Sequence, residues 1–444
     1  MEMHLEWNEI STWLKRSEQI FIKKLSRNDC GWADSAKNGH QNGFLIPRLI
    51  AESNFFPALK NSNPEKPHIY DVEYSTFWPA SSEIKISTIK YFSLRNPENK
   101  DKAKPRYEWQ HTGVPKEHFQ KLSPASLLLV GKLKQPLSGA SHWFIVIDSE
   151  SEEASIIETY FNLDADFHFD LFDPSMVDAR DPFADQLVDE LAQAIRDGSL
   201  ETYIKRQAIP SPRTLATQAQ AVWLDENTSD ELNPFDIKRP GDAVMRISRD
   251  IEYAIFKRAE IRFRAAQVAR ILLHGGSDPL SNLVRGFPEL DSIFLSAAQT
   301  RKSRAGLSFE YHVERLFKDG RIRHEAQAIL GGRRPDFVLP SVATLNSKTE
   351  TVIVSLKTTL RERWKQLALE KSFGQIFLAT VDDRVSGEAI DEMGRNSIAL
   401  VVPESLKKAK ESAYDGYENV ITFRQFFDSE VKERRPSLLL SLEK

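Results

Sequence analysis

The run Thr351-Val352-Ile353-Val354-Ser355-Leu356 constrains this chain most. It is apolar at nearly every position and rich in β-branched residues, and it is too short for a buried helix. It therefore reads as a strand covered on both faces. Two more such runs follow, over Gly374–Thr380 and Ser397–Val402, with a helix-patterned segment at about Arg361–Lys371 between the first and second. Strands alternating with helices predict an α/β core for the C-terminal part.

The chain has 444 residues, which fits more than one domain. Upstream of the α/β core the text changes. The first twenty-five residues carry Leu5, Ile10, Trp13, Leu14, Phe21 and Leu25 at helical spacing. From Asp29–Gly43, a Gly/Asn-rich loop, to about Asn162 the sequence reads as short strands and turns, among them Leu127–Val130 and Trp143–Ile147. A mostly-β domain is expected there. The acidic stretch with Asp173-Pro174 and Asp181-Pro182 reads as a linker or domain boundary. Leu187, Val188, Leu191, Ala194 and Ile195 predict an amphipathic helix. Residues 208–242, rich in Pro, Ser, Asn and Asp, read as a long loop or inserted arm. Helices are expected over Asp250–His274, closed by Gly275-Gly276, and over Ser308–Phe317. The expected division is 1–163, 164–245 and 246–444.

The single cysteine, Cys30, excludes an internal disulfide framework and a Cys-rich zinc site. No apolar run reaches the length of a membrane span, and the acidic N-terminus carries no readable secretory signal. A cytoplasmic protein without a membrane partner is the expectation. Net charge is only −4, but it is unevenly spread. Arg95–Lys134 holds nine Lys/Arg against four acids, Asp148–Glu190 fourteen acids against one base, and Arg301–Asp336 nine bases against five acids. Three solvated surfaces would explain this. So would two polyanion-binding surfaces with an acidic segment able to compete for one of them.

The chemistry concentrates in the last zone and after it. Asp336, in Pro335-Asp336-Phe337, precedes by twenty-one residues Lys357 at the end of the strand Val352–Lys357. A carboxylate and a lysine at neighbouring strand ends suit metal-dependent phosphodiester hydrolysis. The carboxylate holds a hard cation such as Mg2+, and the lysine orients water and stabilises charge on the phosphate. The nuclease pattern PD…(D/E)xK expects a second acid at position 355, where this chain has Ser355. Glu370, thirteen residues past Lys357, offers a substitute, and Glu310 on an earlier helix a further carboxylate, with Glu314 on its same face. Just after the lysine comes Arg361-Glu362-Arg363. Arginine pairs bidentately with guanine and glutamate accepts from cytosine N4, so this tripeptide is suited to reading adjacent G·C pairs. A solvated charged turn is the plainer alternative.

Together Arg301–Gly306, the Glu310 helix, Pro335-Asp336-Phe337, Lys357-Thr358-Thr359 and Arg361–Trp364 resemble the C-terminal catalytic domain of the EcoRII restriction endonuclease family. The N-terminal half resembles the effector domain of the same family through Lys24–Asp29, Gly39–Gly43, Ile46-Pro47 and Ile157-Glu158-Thr159. The resemblance implies a β-barrel-like DNA-binding domain followed by a restriction-endonuclease-like α/β domain. It also implies a homodimer making Mg2+-dependent double-strand cuts at CC-x-GG-type DNA sites, with a second site copy on the effector domain. By position it implies Asp336, Lys357 and Glu370 as the metal and catalytic set, assisted by Glu310. Arg361, Glu362 and Arg363 would read the bases. Arg249 and Tyr253 would sandwich a flipped base; without the resemblance, ordinary helix-face packing is the favoured reading of that pair. His40, Lys100, Lys102, Lys104 and Arg106 would contact the effector DNA. Two alternatives stand beside this: a sequence-specific DNA-binding protein with a degenerate nuclease fold, and a repair-type nuclease of the same fold.

Overall fold

The computed structural model describes residues 5–34, 42–95, 104–161, 163, 167–174, 182–273, 278–329, 334–344, 351–360 and 374–440. Two compact units emerge. The first comprises Met1–Ala179 with Asp383–Ser386 and Ala409–Ala413, the second Arg180–Asp382, Gly387–Lys408 and Tyr414–Lys444.

The first unit is built on eight strands. They are β1 (Ser17–Lys24), β2 (Gly43–Ile46), β3 (Ile69–Trp78), β4 (Glu83–Arg95), β5 (Lys104–Thr112), β6 (Leu127–Leu137), β7 (Ala140–Ile147) and β8 (Phe169–Phe172). They form one sheet in the order β2-β5-β4-β3-β7-β6-β1-β8. Side chains alternate between its faces as the pleat requires. Phe21, Leu128, Val130 and Phe144 enter one core with Phe44, Trp78, Ile89 and Trp109. Ile20, Ile22, Leu127, Leu129, Trp143 and Ile145 enter the other. Helices Trp7–Lys15 and Glu152–Tyr160 cover that second face through Ile10, Leu14, Ala154 and Ile157. The first face covers itself. Phe44 on β2 lies 6.3 Å, ring to ring, from Phe144 on β7, four strands away in the sheet order. A flat sheet would separate those strands by roughly 19 Å at ~4.8 Å per step. The sheet is therefore curled into a pseudo-barrel whose edges, β2 and β8, remain unjoined.

Two expectations change here. The helical spacing of the first twenty-five residues is real only to Lys15; Ser17–Lys24 is a strand. It is buried on both faces between β6 and β8, and that pairing overrides the local pattern. The acidic stretch read as a linker or boundary contains β8, antiparallel to β1, and the division between the two units falls within it, after Ala179.

The second unit has a helical layer and a six-stranded mixed sheet. Its strands are β9 (Glu325–Ala326), β10 (Phe337–Leu339), β11 (Val352–Lys357), β12 (Gln375–Thr380), β13 (Ile398–Val402) and β14 (Val420–Thr422). β9, β10 and β11 are antiparallel neighbours, and β11 to β14 run parallel. The fully buried strand β11 appears where its apolar run predicts it. The segment read as a loop, 208–242, instead carries helix Pro212–Glu226, started by Ser211 capping the Thr214 N–H and by Pro at the first turn. Its Leu215, Ala219 and Trp223 are buried, so tertiary cover compensates for a polar composition. The helix expected at Ser308–Phe317 is the last part of a 33-residue helix, Phe287–Asp319. The helix expected from Asp250 starts as a π-helical turn, Arg246–Ile251, continuing as Glu252–Leu272. Gly275-Gly276 and the helix expected at Arg361–Lys371 lie outside the described residues.

The helices are fastened by one buried polar group. Glu252 is fully buried and accepts from the guanidinium of Arg304 and lies 2.9 Å from His312 Nε2; Gln220 contacts the other ring nitrogen at 3.1 Å.

In the first unit, Gly131 sits against Trp143. A Cβ there would lie 2.1 Å from the indole ring and 2.4 Å from Ser17 Oγ, which accepts the Trp143 N–H at 2.8 Å. Gly131→Ala should therefore destabilise by about 1–3 kcal/mol. Urea unfolding followed by tryptophan fluorescence should show the lowered midpoint.

Candidate active site

The pairing of β10 with β11 assembles the site. Phe337 opposes Val354 and Leu339 opposes Val352. Asp336, one residue before β10, is thereby carried to the end of β11. It is 8% exposed, and its Oδ2 accepts the Leu356 N–H at 2.6 Å. The next residue, Lys357, extends its ammonium to the same oxygen at 3.4 Å and to the Leu356 carbonyl at 2.8 Å. The Leu356 N–H and the Lys357 ammonium, far from Asp336 in sequence, thus share one of its carboxylate oxygens. The significance is in placing a cation and a carboxylate together.

Glu310 reaches the same place from helix Phe287–Asp319. Its carboxyl is pushed up to about 7, first by burial and then by the negative charge of Asp336. A hydrogen bond from Gln327 and the charges of Lys357 and Arg334 pull the other way. Gln327 Nε2 donates to Glu310 Oε2 at 2.6 Å. Ser355, where the nuclease pattern expects an acid, is 2% exposed within β11. A carboxylate there would be buried, whereas Glu310 delivers one from a helix.

The Asp336 charge raises the proton affinity of Glu310, and a hard dication held by both carboxylates would relieve that repulsion. Asp336 and Glu310 are the described residues able to hold one. Among the described residues no cluster of three or more His, Cys, Asp or Glu side chains forms. The further carboxylate expected, Glu370, lies outside the described residues, as do Arg361, Glu362 and Arg363. Their anchor is described. Leu360, just before them, is buried, and its N–H is held by Asp382 Oδ2 at 2.8 Å.

Arg249 lies in the π-helical turn and Tyr253 in the α-helix after it. Arg249 Nη1 donates to the carbonyl of Val381, next to Asp382, at 3.2 Å. A π-turn inside a helix shifts the alignment of i and i+4 side chains from that of a regular helix. In the first unit, Arg106 is on β5, where it pairs with Glu108 at 2.7 Å and stacks over Phe92. His40, Lys100, Lys102 and the side chain of Lys104 lie outside the described residues. Sequence reasoning missed Gln327 and Asp382. Gln327 had no signal, because its role depends on where β9 meets β10. Asp382 lies two residues past a predicted strand, where α/β folds place functional groups, and could have been singled out.

Residues 280–427 match the family model described as EcoRII C terminal. The chain is 26% identical over 405 residues to the type II restriction enzyme EcoRII of Escherichia coli, covering 88% of each. It is 29% identical over 197 residues to the type II restriction enzyme SsoII of Shigella sonnei, covering 38% of this chain and 64% of that one. A solved structure of metal-depleted Ecl18kI in complex with uncleaved DNA aligns with 24% identity and a TM-score of 0.45, covering 56% of this chain and 88% of that one.

The pH dependence of Glu310 gives a test. Its folded pKa lies above the unfolded value of ~4.3, so its ionised form destabilises the metal-free fold. That penalty is full above pH 7 and vanishes below the unfolded value. Glu310→Gln should raise the metal-free melting temperature at pH 8, with the gain fading as pH falls from about 7 to ~4.3.

Proposed function

We propose that this relative of the type II restriction enzymes EcoRII and SsoII is itself a type II restriction endonuclease, making Mg2+-dependent double-strand cuts at CC-x-GG-type DNA sites. The observation that carries the reading is the meeting of Asp336, Lys357 and Glu310 at the end of β11. Similarity to EcoRII over 88% of both chains supports the same domain order. In that order, residues 1–163, with β8 added to their sheet, form an effector DNA-binding domain, the rest of 164–245 a connecting region and 246–444 the catalytic domain. A cytoplasmic enzyme acting on DNA fits the same reading.

In the proposed reaction Asp336 and Glu370 hold Mg2+, with Glu310 assisting. When bound, Mg2+ polarises the scissile phosphate and lowers the pKa of water. Lys357 carries three donors. Two of its directions are set by Asp336 and the Leu356 carbonyl, and the third serves the attacking water and the developing phosphate charge. Arg361, Glu362 and Arg363 enter the major groove, each good bidentate contact discriminating by about 1–3 kcal/mol. The Asp382 bond to Leu360 fixes where that segment starts. Arg249 and Tyr253 receive a flipped base. His40, Lys100, Lys102, Lys104 and Arg106 hold the second copy of the site.

A homodimer is part of the proposal, because a two-fold protein matches a two-fold site. Its support is an apolar face on the second unit. Helix Pro279–Arg285 buries none of its residues, and Leu280 and Val284 are 66% and 69% exposed. Phe287, Phe294 and Leu295 continue the face, 63%, 62% and 59% exposed. Leu290 and Ile293 on the same helix point instead into a small core with Ile271. A helix apolar on both sides calls for cover on both. A second copy of the chain supplies it.

Purified protein with Mg2+ should cut a plasmid bearing CC-x-GG sites into discrete fragments and leave a site-free plasmid intact. Lys357→Ala should lower single-turnover cleavage by at least about 10²–10³-fold while DNA binding persists. Binding without cleavage by the wild type would favour a degenerate nuclease. Cleavage without site preference would favour a repair-type one.

Val284→Asp combined with Phe294→Asp should convert a dimer to monomer in sedimentation velocity. An unchanged dimer would put the interface elsewhere.

A further inference from the structure

Gln327 follows β9 and joins Glu310 to Asp336. Its side-chain amide donates to Glu310 Oε2 at 2.6 Å. Its backbone N–H donates to the Asp336 carbonyl at 2.9 Å, and its own carbonyl accepts Arg334 Nε at 3.1 Å. The backbone at Gln327 has φ +53°, in the left-handed region that disfavours any residue with a Cβ. β9 pairs with β10 up to Ala326 opposite Phe337. The left-handed turn ends the extended strand while keeping the Gln327 N–H on Asp336. Strain of this kind persists where neighbouring bonds over-determine it, and here three do.

The geometry points to Gln327 as a positioning residue of the active site, holding the Glu310 carboxylate in one conformation beside Asp336. This rests on the nuclease reading above. A glutamate on a helix has several rotamers, and ordering it costs conformational entropy. An amide donor fixes one oxygen without supplying charge. A lysine or arginine in its place would neutralise Glu310 and compete with a dication for it. The amide leaves the negative charge of the pair intact. Outer-sphere partners of this kind orient the groups that hold a metal.

The test uses the full chain and four proteins: wild type, Gln327→Met, Glu310→Ala and the double variant. Gln327→Met keeps length and volume and removes the donor. Single-turnover cleavage is measured across a Mg2+ titration, and binding of Mn2+ alone by calorimetry without DNA. Expected for Gln327→Met are a cleavage rate lower by about 10–100-fold, a higher Mg2+ concentration at half-maximum and Mn2+ binding weakened by a similar factor. DNA affinity should stay unchanged. In the Glu310→Ala background the same substitution should change nothing further, since a residue acting through Glu310 has nothing left to position. Equal losses with and without Glu310, or wild-type behaviour of Gln327→Met, would overturn the proposal. Should Gln327→Met fail to fold, Gln327→Asn, which tolerates the left-handed backbone and draws the amide back by one methylene, should reproduce the weakened Mn2+ binding. Normal binding in that folded variant would also overturn it. A wild-type protein that cuts no DNA overturns the nuclease reading instead, while Mn2+ calorimetry still decides the role of Gln327.

Discussion

The antiparallel pairing of β10 with β11 is the constraint on which the candidate site depends. Its register sets Asp336 against the Leu356 N–H at 2.6 Å. A shift by one residue would turn every side chain of a strand to the opposite face. Phe337, Val338 and Leu339 are all at most 2% exposed, so such a slip would disrupt the core as well as the site. Lys357 needs no separate device. Ending the strand one residue after Leu356, it arrives beside the same carboxylate oxygen.

The site is electrostatically strained in a definite direction. Burial, and then the charge of Asp336, oppose the ionisation of Glu310. Lys357 offsets part of that effect. An arrangement that is unfavourable alone and eased by an added positive charge is suited to ligand-dependent chemistry. Gln327 satisfies a carboxylate oxygen while leaving the charge in place.

Around this the helical layer acts as a rigid support. Glu252 takes bonds from Arg304 and His312 while fully buried, so removing Arg304 would leave a buried carboxylate without its counter-charge. Arg304 belongs to the Arg301–Gly306 text that resembles the EcoRII family, and its visible role is this buried anchor. Glu252 closes the π-helical turn that carries Arg249, and Arg249 in turn reaches the carbonyl beside Asp382. The segment before Arg361 and the turn carrying Arg249 are therefore held by adjacent residues, Val381 and Asp382.

Local sequence determined the elements whose burial is the same in any context. β11, β12 and β13 were legible because strands covered on both faces must be apolar throughout. Lys357 was legible because a polar residue ending such a strand stands out, and Asp336 because a Pro-Asp pair precedes that lysine at a spacing suited to the same chemistry. Local pattern failed where a neighbour decided the outcome. Ser17–Lys24 is a strand because β6 and β8 flank it, and Pro212–Glu226 is a helix because Leu215 and Trp223 find cover. The closeness of Glu310 to Asp336, the conformation of Gln327 and the hold of Asp382 on Leu360 were decided by tertiary structure alone. Each joins segments whose separation in sequence carries no distance information. Hydrophobic burial specifies which face of an element turns inward, but the register between elements sets which polar atoms meet.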